Sequence, residues 1–241
     1  MLAFVVATGA CTESTLDLGY APTPSPTSAA PAHLTTSTAK ATATAAISSP
    51  VTVASSGAWV LASVVMRGDT DVSDVSGLSA SWAPLEKACG GRDQTRLDVW
   101  IASDVPAGAG TVTVLLTGTA ITTVLAVSVY QGVSATRSAA ANTNGIDGAC
   151  AGGVDSNAYS VPFAVAPGSA VFAAIDSRNE SHTIGDGLVV RGSLQTGNNG
   201  DDVGVTHADS LDGTPPTAIN GSLGGTTDWA VVAVELVRPG M

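Results

Sequence analysis

A nearly continuous β-strand pattern over residues 97–132 constrains the fold of this chain most. Apolar residues, with Thr123 as the one exception, occupy every second position over 97–101, 112–116 and 121–129, which is the period that places alternate side chains on one face of a sheet. Pro106 and Gly118 separate the three runs and favour turns. The stretch therefore predicts an antiparallel meander of three strands and an all-β fold.

The rest of the chain extends this pattern into one sandwich. Residues 57–66 are apolar at successive positions, which is typical of a central strand covered on both faces. Threonines over residues 35–46 indicate an exposed edge strand, and residues 227–237 form a final strand. We expect residues 33–241 to fold as one two-sheet antiparallel β-sandwich, because all-β chains of 241 residues commonly form a single domain.

Residues 1–32 have a different composition from this domain. Residues 21–32 contain four prolines and cannot donate a regular ladder of hydrogen bonds. Leu2, Phe4 and Val6 alternate as a short strand would. The sequence predicts an extended N-terminal arm that either packs on its own sandwich or reaches a neighbouring subunit.

The charge excludes one class of partner. The formal net charge is −11, with only nine Lys and Arg residues, and these are scattered along the chain. Nucleic-acid binding requires clustered basic residues to neutralise phosphates, so we expect no nucleic-acid partner. No apolar run approaches the ~20 residues that span a bilayer, so we expect no membrane span.

The three cysteines, Cys11, Cys89 and Cys150, leave one unpaired whatever bond forms. Cys89 and Cys150 both lie in Gly-rich segments, where two chains can approach closely. We hypothesise a Cys89–Cys150 disulfide, which implies an oxidising environment. No Cys-x-x-Cys spacing or His-Cys cluster indicates a zinc site.

One acidic loop partly matches the carboxylate spacing of a calcium site. Asp69, Asp71 and Asp74 lie close together, and calcium prefers several carboxylate oxygens. An EF-hand loop needs Gly at its sixth position and Glu at its twelfth, where this chain has Asp74 and Ala80. Solvated turn carboxylates are the favoured interpretation, with calcium as the alternative.

A second loop has the same status as a calcium candidate. It is rich in acids and amides, with Asn198, Asn199, Asp201 and Asp202, followed by Asp209 and Asp212. Beyond these two loops, the sequence predicts no cofactor.

Catalytic patterns are missing from the sequence. Its four glutamates are isolated, and His33, His182 and His207 lack metal-site spacing. Asp98 and Asp228 each stand beside a tryptophan on a predicted strand, but we expect them to face solvent rather than to form a catalytic pair. The sequence therefore predicts a protein that is not an enzyme.

Carbohydrate binding needs less than catalysis does. An exposed aromatic ring can stack on a sugar, while amides or carboxylates bind its hydroxyls. Trp82 lies outside the strong strand patterns and is the candidate ring, with Asn198, Asn199 and Asp201 as polar partners. The favoured alternative is that Trp82 covers one end of the core.

A set of strand motifs resembles one group of β-proteins. The motifs are Val-Trp-Ile at 99–101, Pro-Ala-Gly at 106–108, Thr-Val-Thr-Val at 111–114, Val-Tyr-Gln-Gly at 129–132 and Trp-Ala-Val at 229–231. Their order is similar to that of concanavalin A-like, laminin-G-like jelly-roll modules of bacterial surface and phage structural proteins. The resemblance implies a jelly-roll fold; members of that wider fold include lectins, glycosidases and structural domains.

Together these patterns predict a non-catalytic structural module. Its expected place is the outside of a virion, as a decoration or tail-associated protein, or a surface fibre, and its expected partners are other protein subunits, including copies of itself. The alternative is a carbohydrate-binding adhesion domain of a secreted or cell-surface protein.

Overall fold

The computed structural model describes residues 30–90, 95–144, 152–197, 199–211 and 214–240, and these residues form strands, turns and loops without a helix. All strand pairs are antiparallel. The strands are β1 (Ala32–Val53), β2 (Ala58–Arg67), β3 (Val72–Gly77), β4 (Ala83–Cys89), β5 (Arg96–Val105), β6 (Gly108–Gln131), β7 (Ala135–Thr143), β8 (Ser156–Pro162), β9 (Ala170–Arg178), β10 (His182–Ile184), β11 (Val189–Gln195), β12 (Val203–Asp209), β13 (Ala218–Thr227) and β14 (Trp229–Val237).

These strands form three sheets rather than the two that the sequence predicts. Sheet A has the order β1-β6-β2-β5-β4, with β3 beside β6; sheet B has the order β11-β12-β9-β14-β7; sheet C has the order β10-β13-β8. The all-β antiparallel class is thus confirmed, and the sandwich is thicker than expected.

Sheet A folds back on itself because β1 and β6 are unusually long. They have 22 and 24 residues and pair along almost their whole length. Their register shifts between Thr44 and Ala46, as at a β-bulge, which bends a strand. Beyond the bend, Val112 and Val114 of β6 join the same apolar cluster as Leu125 and Val127 from its other half. One continuous sheet therefore supplies two facing layers.

The other face of sheet A packs on sheet B, and sheet C covers the far side of sheet B. Side chains of β2, β5 and β6 form the second core with those of β9, β12 and β14. Side chains of β8 and β13 form the third core with the opposite faces of β9 and β14. The described residues thus form a stack of four β-layers with three apolar cores between them.

This stacking explains the strands that are apolar on both faces. In β2, Val60 and Val64 belong to the first core, while Leu61 and Val65 belong to the second. The prediction of a central strand covered on both sides is confirmed for β2. The edge position predicted for residues 35–46 is also confirmed, since β1 is an edge strand of sheet A.

The predicted meander over residues 97–132 is wrong. Gly118 does not end a strand, because β6 runs through it from Gly108 to Gln131. Nor do β5 and β6 pair, since β2 lies between them in sheet A. Periodicity located the strands, but long-range hydrogen bonding decided which strand became the neighbour of which.

The N-terminal arm predicted over residues 1–32 lies almost wholly outside the described residues, and β1 begins at Ala32. Within the described ranges, no helix has the length and hydropathy to cross a membrane.

Candidate functional site

A buried ion pair lies between sheets A and B. Asp209 of β12 has no solvent-exposed surface. Arg191 of β11 donates two hydrogen bonds to it, from Nε to Oδ2 at 2.9 Å and from Nη2 to Oδ1 at 2.7 Å. Tyr130 of β6 donates its hydroxyl to Oδ2 at 3.2 Å. Asp209 is therefore a structural anion, and its assignment to the acidic loop that follows residue 198 is wrong.

A chain of polar side chains runs beside this ion pair. His207 Nδ1 lies 2.7 Å from the Ser128 hydroxyl, which lies 2.7 Å from the Thr36 hydroxyl. His33 Nε2 lies 2.8 Å from the same Thr36 hydroxyl. Burial lowers the pKa of His207 to about 3, so its imidazole is neutral. Ser128 and His207 are both fully buried, so this serine–histidine contact has no access to a substrate.

A second buried acid lies where β9 meets β14. Asp176 has no exposed surface, and neither of its carboxylate oxygens makes a hydrogen bond of normal geometry. Burial raises the pKa of Asp176 well above its usual range; the approach of the Thr95 hydroxyl opposes this rise, and the charge of Asp228 adds to it. Asp228 is also fully buried and pairs with Arg178 at 3.5 Å. The expectation that Asp228 faces solvent is wrong. Asp228 lies between Thr227, the last residue of β13, and Trp229, the first residue of β14, and both are buried.

We expect Asp176→Asn to stabilise the protein at neutral pH. Because the folded protein holds the Asp176 proton more tightly than the unfolded chain does, the stability contributed by this group is greatest below the unfolded pKa of about 3.9 and falls as the pH rises above it. The amide removes that fall. Chemical denaturation from pH 4 to pH 7 should show a variant advantage that grows with pH; an advantage that shrinks, or is absent at pH 7, contradicts the prediction. The exposed Asp74→Asn is the matched control.

A groove lies between the bend of sheet A and its far edge. Its volume is about 570 Å³, and it is lined by Asp71, Val72, Pro84, Leu85, Glu86, Lys87, Asp98, Val99 and Trp100. β3 forms one wall, while β4 and β5 form the floor and the other wall. Chemically, the groove combines an aromatic ring with carboxylates and one ammonium group.

Asp98 lies at the base of this groove and is only 7% exposed, so the expectation that it faces solvent is wrong. Its Oδ2 accepts the Val72 N–H at 3.2 Å. Burial raises the pKa of Asp98, opposed by that hydrogen bond. Asp98 is buried because β5 is an inner strand of sheet A and β3 approaches it from the bend. Asp98 and Asp228 lie in different parts of the fold and do not form a pair.

In the first calcium candidate, two of the carboxylates already bind a positively charged side chain of the protein. Arg96 binds Asp71 at 2.9 Å and Asp69 at 3.1 Å, while Asp74 is exposed on β3. In the second loop, Asp202 accepts hydrogen bonds from the Asn199 N–H and the Thr196 hydroxyl. Asp201 lies 3.8 Å from Arg67. Across the described ranges, no group of three His, Cys, Asp or Glu residues has the arrangement of a metal site.

The predicted glycan residues do not come together. Trp82 packs against the first core and donates its indole N–H to the Gly77 carbonyl at 3.2 Å. Asp201, in the same loop as Asn199, lies near Arg67 at one end of β2. Trp82 precedes Ala83, which pairs with Ile101 of β5, and Ile101 pairs in turn with Leu61 of β2. Six strand residues, about 20 Å, separate those two levels of β2. Asn198 lies outside the described residues.

Cys89 forms a disulfide at the end of β4, and its carbonyl accepts a hydrogen bond from the Thr143 hydroxyl at the end of β7. Both other cysteines, Cys11 and Cys150, lie outside the described residues. Pairing with Cys150 therefore stays a prediction.

The fold and its groove define an all-β protein of stacked antiparallel sheets. Comparisons with protein-family models, with curated proteins and with solved structures give no match for this chain. Its function is therefore inferred from its own residues.

Sequence reasoning missed several of the residues that matter most. Arg191, His207 and Asp176 stand in segments that give no motif, and the hydrogen-bond partners of Arg191 and His207 are 18 and 79 residues away in the chain. One signal in the sequence could have identified Asp176. A charged residue inside an otherwise apolar strand, such as β9, is buried together with that strand.

Proposed function

We propose that this chain is a non-catalytic structural module on the outside of a virion, as a decoration or tail-associated protein, or in a surface fibre. The observation that carries the proposal is the open edge of β1. Within the described residues, β1 pairs with β6 alone, so no strand of the sheet covers the other edge of this 22-residue strand. An open edge of this kind can accept a strand of another subunit.

The chemistry along β1 limits where a strand can add. Lys40 is exposed, the register shifts between Thr44 and Ala46, and Pro50 has no N–H to donate. Such features protect natural sheet edges from pairing. Residues 35–39 consist of Thr, Ser and Ala and lie between a first register shift, at His33 and Thr35, and Lys40, so they form the proposed accepting edge. The N-terminal arm of a neighbouring subunit is the proposed donor.

The proposal is tested by following the protein in its assembly. Mass spectrometry of purified particles, sheared filaments and culture supernatant is expected to find the intact chain at fixed stoichiometry in particles or filaments. A variant lacking residues 1–29 keeps every strand pair of the domain and, with Cys89 paired to Cys150 as predicted, should retain its thermal unfolding midpoint while losing incorporation. Free protein in the supernatant alone, or full incorporation of the shortened chain, would contradict the proposal.

A carbohydrate-binding adhesion domain is the second candidate function. The groove beside Trp100 supports it, since small-molecule sites combine an aromatic or apolar lining with a few placed polar groups, and commonly measure ~300–1,000 Å³. This candidate concerns a different surface from the open edge of β1, so the two are testable separately.

A further inference from the structure

The groove between β3 and β4–β5 exists because the folded-back part of sheet A is narrower than the sheet it covers. The bend places β3 and the first half of β6 over the centre of the sheet, where Val75, Val112 and Val114 meet Val64 and its neighbours. Among the strands that the structure describes, none lies above β4 at the edge of the sheet. The uncovered face of β4 and β5 is the floor of the groove.

Trp100 gives this floor an aromatic surface. It is half-buried, packs against the first core and lines the groove. Its neighbour across the strands is Pro84, which also lines the groove. A half-buried indole that lines a groove suits the C–H-rich face of a pyranose, because the ring face carries partial negative charge.

Asp98 supplies a fixed hydrogen-bond acceptor next to that ring. The Val72 N–H donates a hydrogen bond to its Oδ2. Within the described residues, Oδ1 accepts no hydrogen bond, and protein atoms do not enclose it completely. Oδ1 is therefore available to a ligand hydroxyl or amine. Because burial and the Val72 contact restrict its movement, little side-chain entropy is lost when a ligand binds.

The remaining charges set the kind of ligand. Asp71 shares the Arg96 guanidinium with Asp69, and Glu86 and Asp98 outnumber Lys87 in the lining, so the groove carries an excess of negative charge. A carboxylate-bearing sugar would meet uncompensated like charge, whereas hydroxyls and a protonated amine would be attracted.

We infer that this groove binds a neutral or amino-sugar oligosaccharide, with one pyranose face on Trp100 and its hydroxyl or amine groups on Asp98 and Glu86. The inference rests on the second candidate function and gives it a location that does not involve Trp82 or Asn199. Trp100 orients the sugar ring, and Asp98 distinguishes amino sugars from uronates.

Calorimetric titration of the full chain tests this with four probes: cellohexaose, chitosan hexaose, hexagalacturonate and a lysine decapeptide. The wild-type protein is expected to bind one of the first two with a Kd of about 1 mM or tighter. Trp100→Ala should weaken that binding at least tenfold, and Asp98→Asn should weaken chitosan hexaose more than cellohexaose. Trp82→Phe is the matched tryptophan control and should leave binding unchanged, and thermal unfolding checks that each variant is folded.

Three results overturn the inference. Wild-type protein that binds neither cellohexaose nor chitosan hexaose removes both the site and the second candidate function. Binding that survives in folded Trp100→Ala, or that is lost in Trp82→Phe alone, removes the site while leaving carbohydrate binding in place. Tighter binding of hexagalacturonate or of the lysine peptide assigns the groove to another class of ligand. None of these results bears on the assembly of β1, which the particle measurements test.

Discussion

Arg191→Ala is expected to lower the free energy of unfolding by about 3–5 kcal/mol, the usual cost of removing one partner of a buried ion pair. Asp209 is fully buried, and its strongest contacts are the two hydrogen bonds from Arg191. Without the guanidinium, the carboxylate keeps the Tyr130 hydroxyl and the Leu211 N–H but loses its only described cation. Urea denaturation at pH 7 measures the change.

Two further variants identify the cause of that loss. Arg238→Ala removes an exposed arginine and should change stability by no more than about 0.5 kcal/mol. Combining Arg191→Met with Asp209→Asn removes both charges, and it should recover part of the loss, because the penalty comes from an uncompensated charge rather than from missing bulk. A double variant as unstable as Arg191→Ala would contradict this explanation.

Phe172→Ala is expected to destabilise the protein by about 3–5 kcal/mol, since it removes a large side chain from a core that cannot fully collapse. Phe172 is fully buried in the core between sheets A and B, and its ring meets His207 edge-on at 4.8 Å and Tyr130 at 6.1 Å. Both neighbours belong to the polar connections between the sheets, so the cavity also loosens them. Thermal and chemical unfolding provide the measurement.

Phe172→Leu is the matched control for this cavity. It keeps most of the volume and the apolar character, so its cost should stay below about 1.5 kcal/mol. A loss of less than about 1.5 kcal/mol for Phe172→Ala itself would show that the second core is not continuous through this position.

The sequence predicted strands well wherever both faces or one face of a strand were clearly apolar. β2 and β14 were recognisable because their segments are apolar at successive positions, and β1 because its threonines favour an exposed strand. The prediction that a strand ends at Gly118 was wrong. Glycine permits a turn, but the pairing of β6 with β1 on both sides of the bend keeps the strand continuous.

The candidate sites were less predictable than the strands. Trp82 and Asn199 were grouped by residue type alone, and the fold separates them. Trp100 and Asp98 were visible as a pair of residues in one strand, but the groove that gives them a shared ligand surface depends on the approach of β3 and Pro84, which no local pattern encodes.

What the sequence determined by itself is therefore the local conformation: small and β-branched residues at a two-residue period, interrupted by Gly and Pro, allow little other than antiparallel strands. Tertiary structure alone decided that one sheet folds over itself, that a third sheet covers the second, and that Arg191 meets Asp209. The physical reason is the separation along the chain of the residues that interact. Alternation records which face of a strand is apolar, whereas the choice of what covers that face depends on hydrogen bonds and packing between residues far apart in the chain.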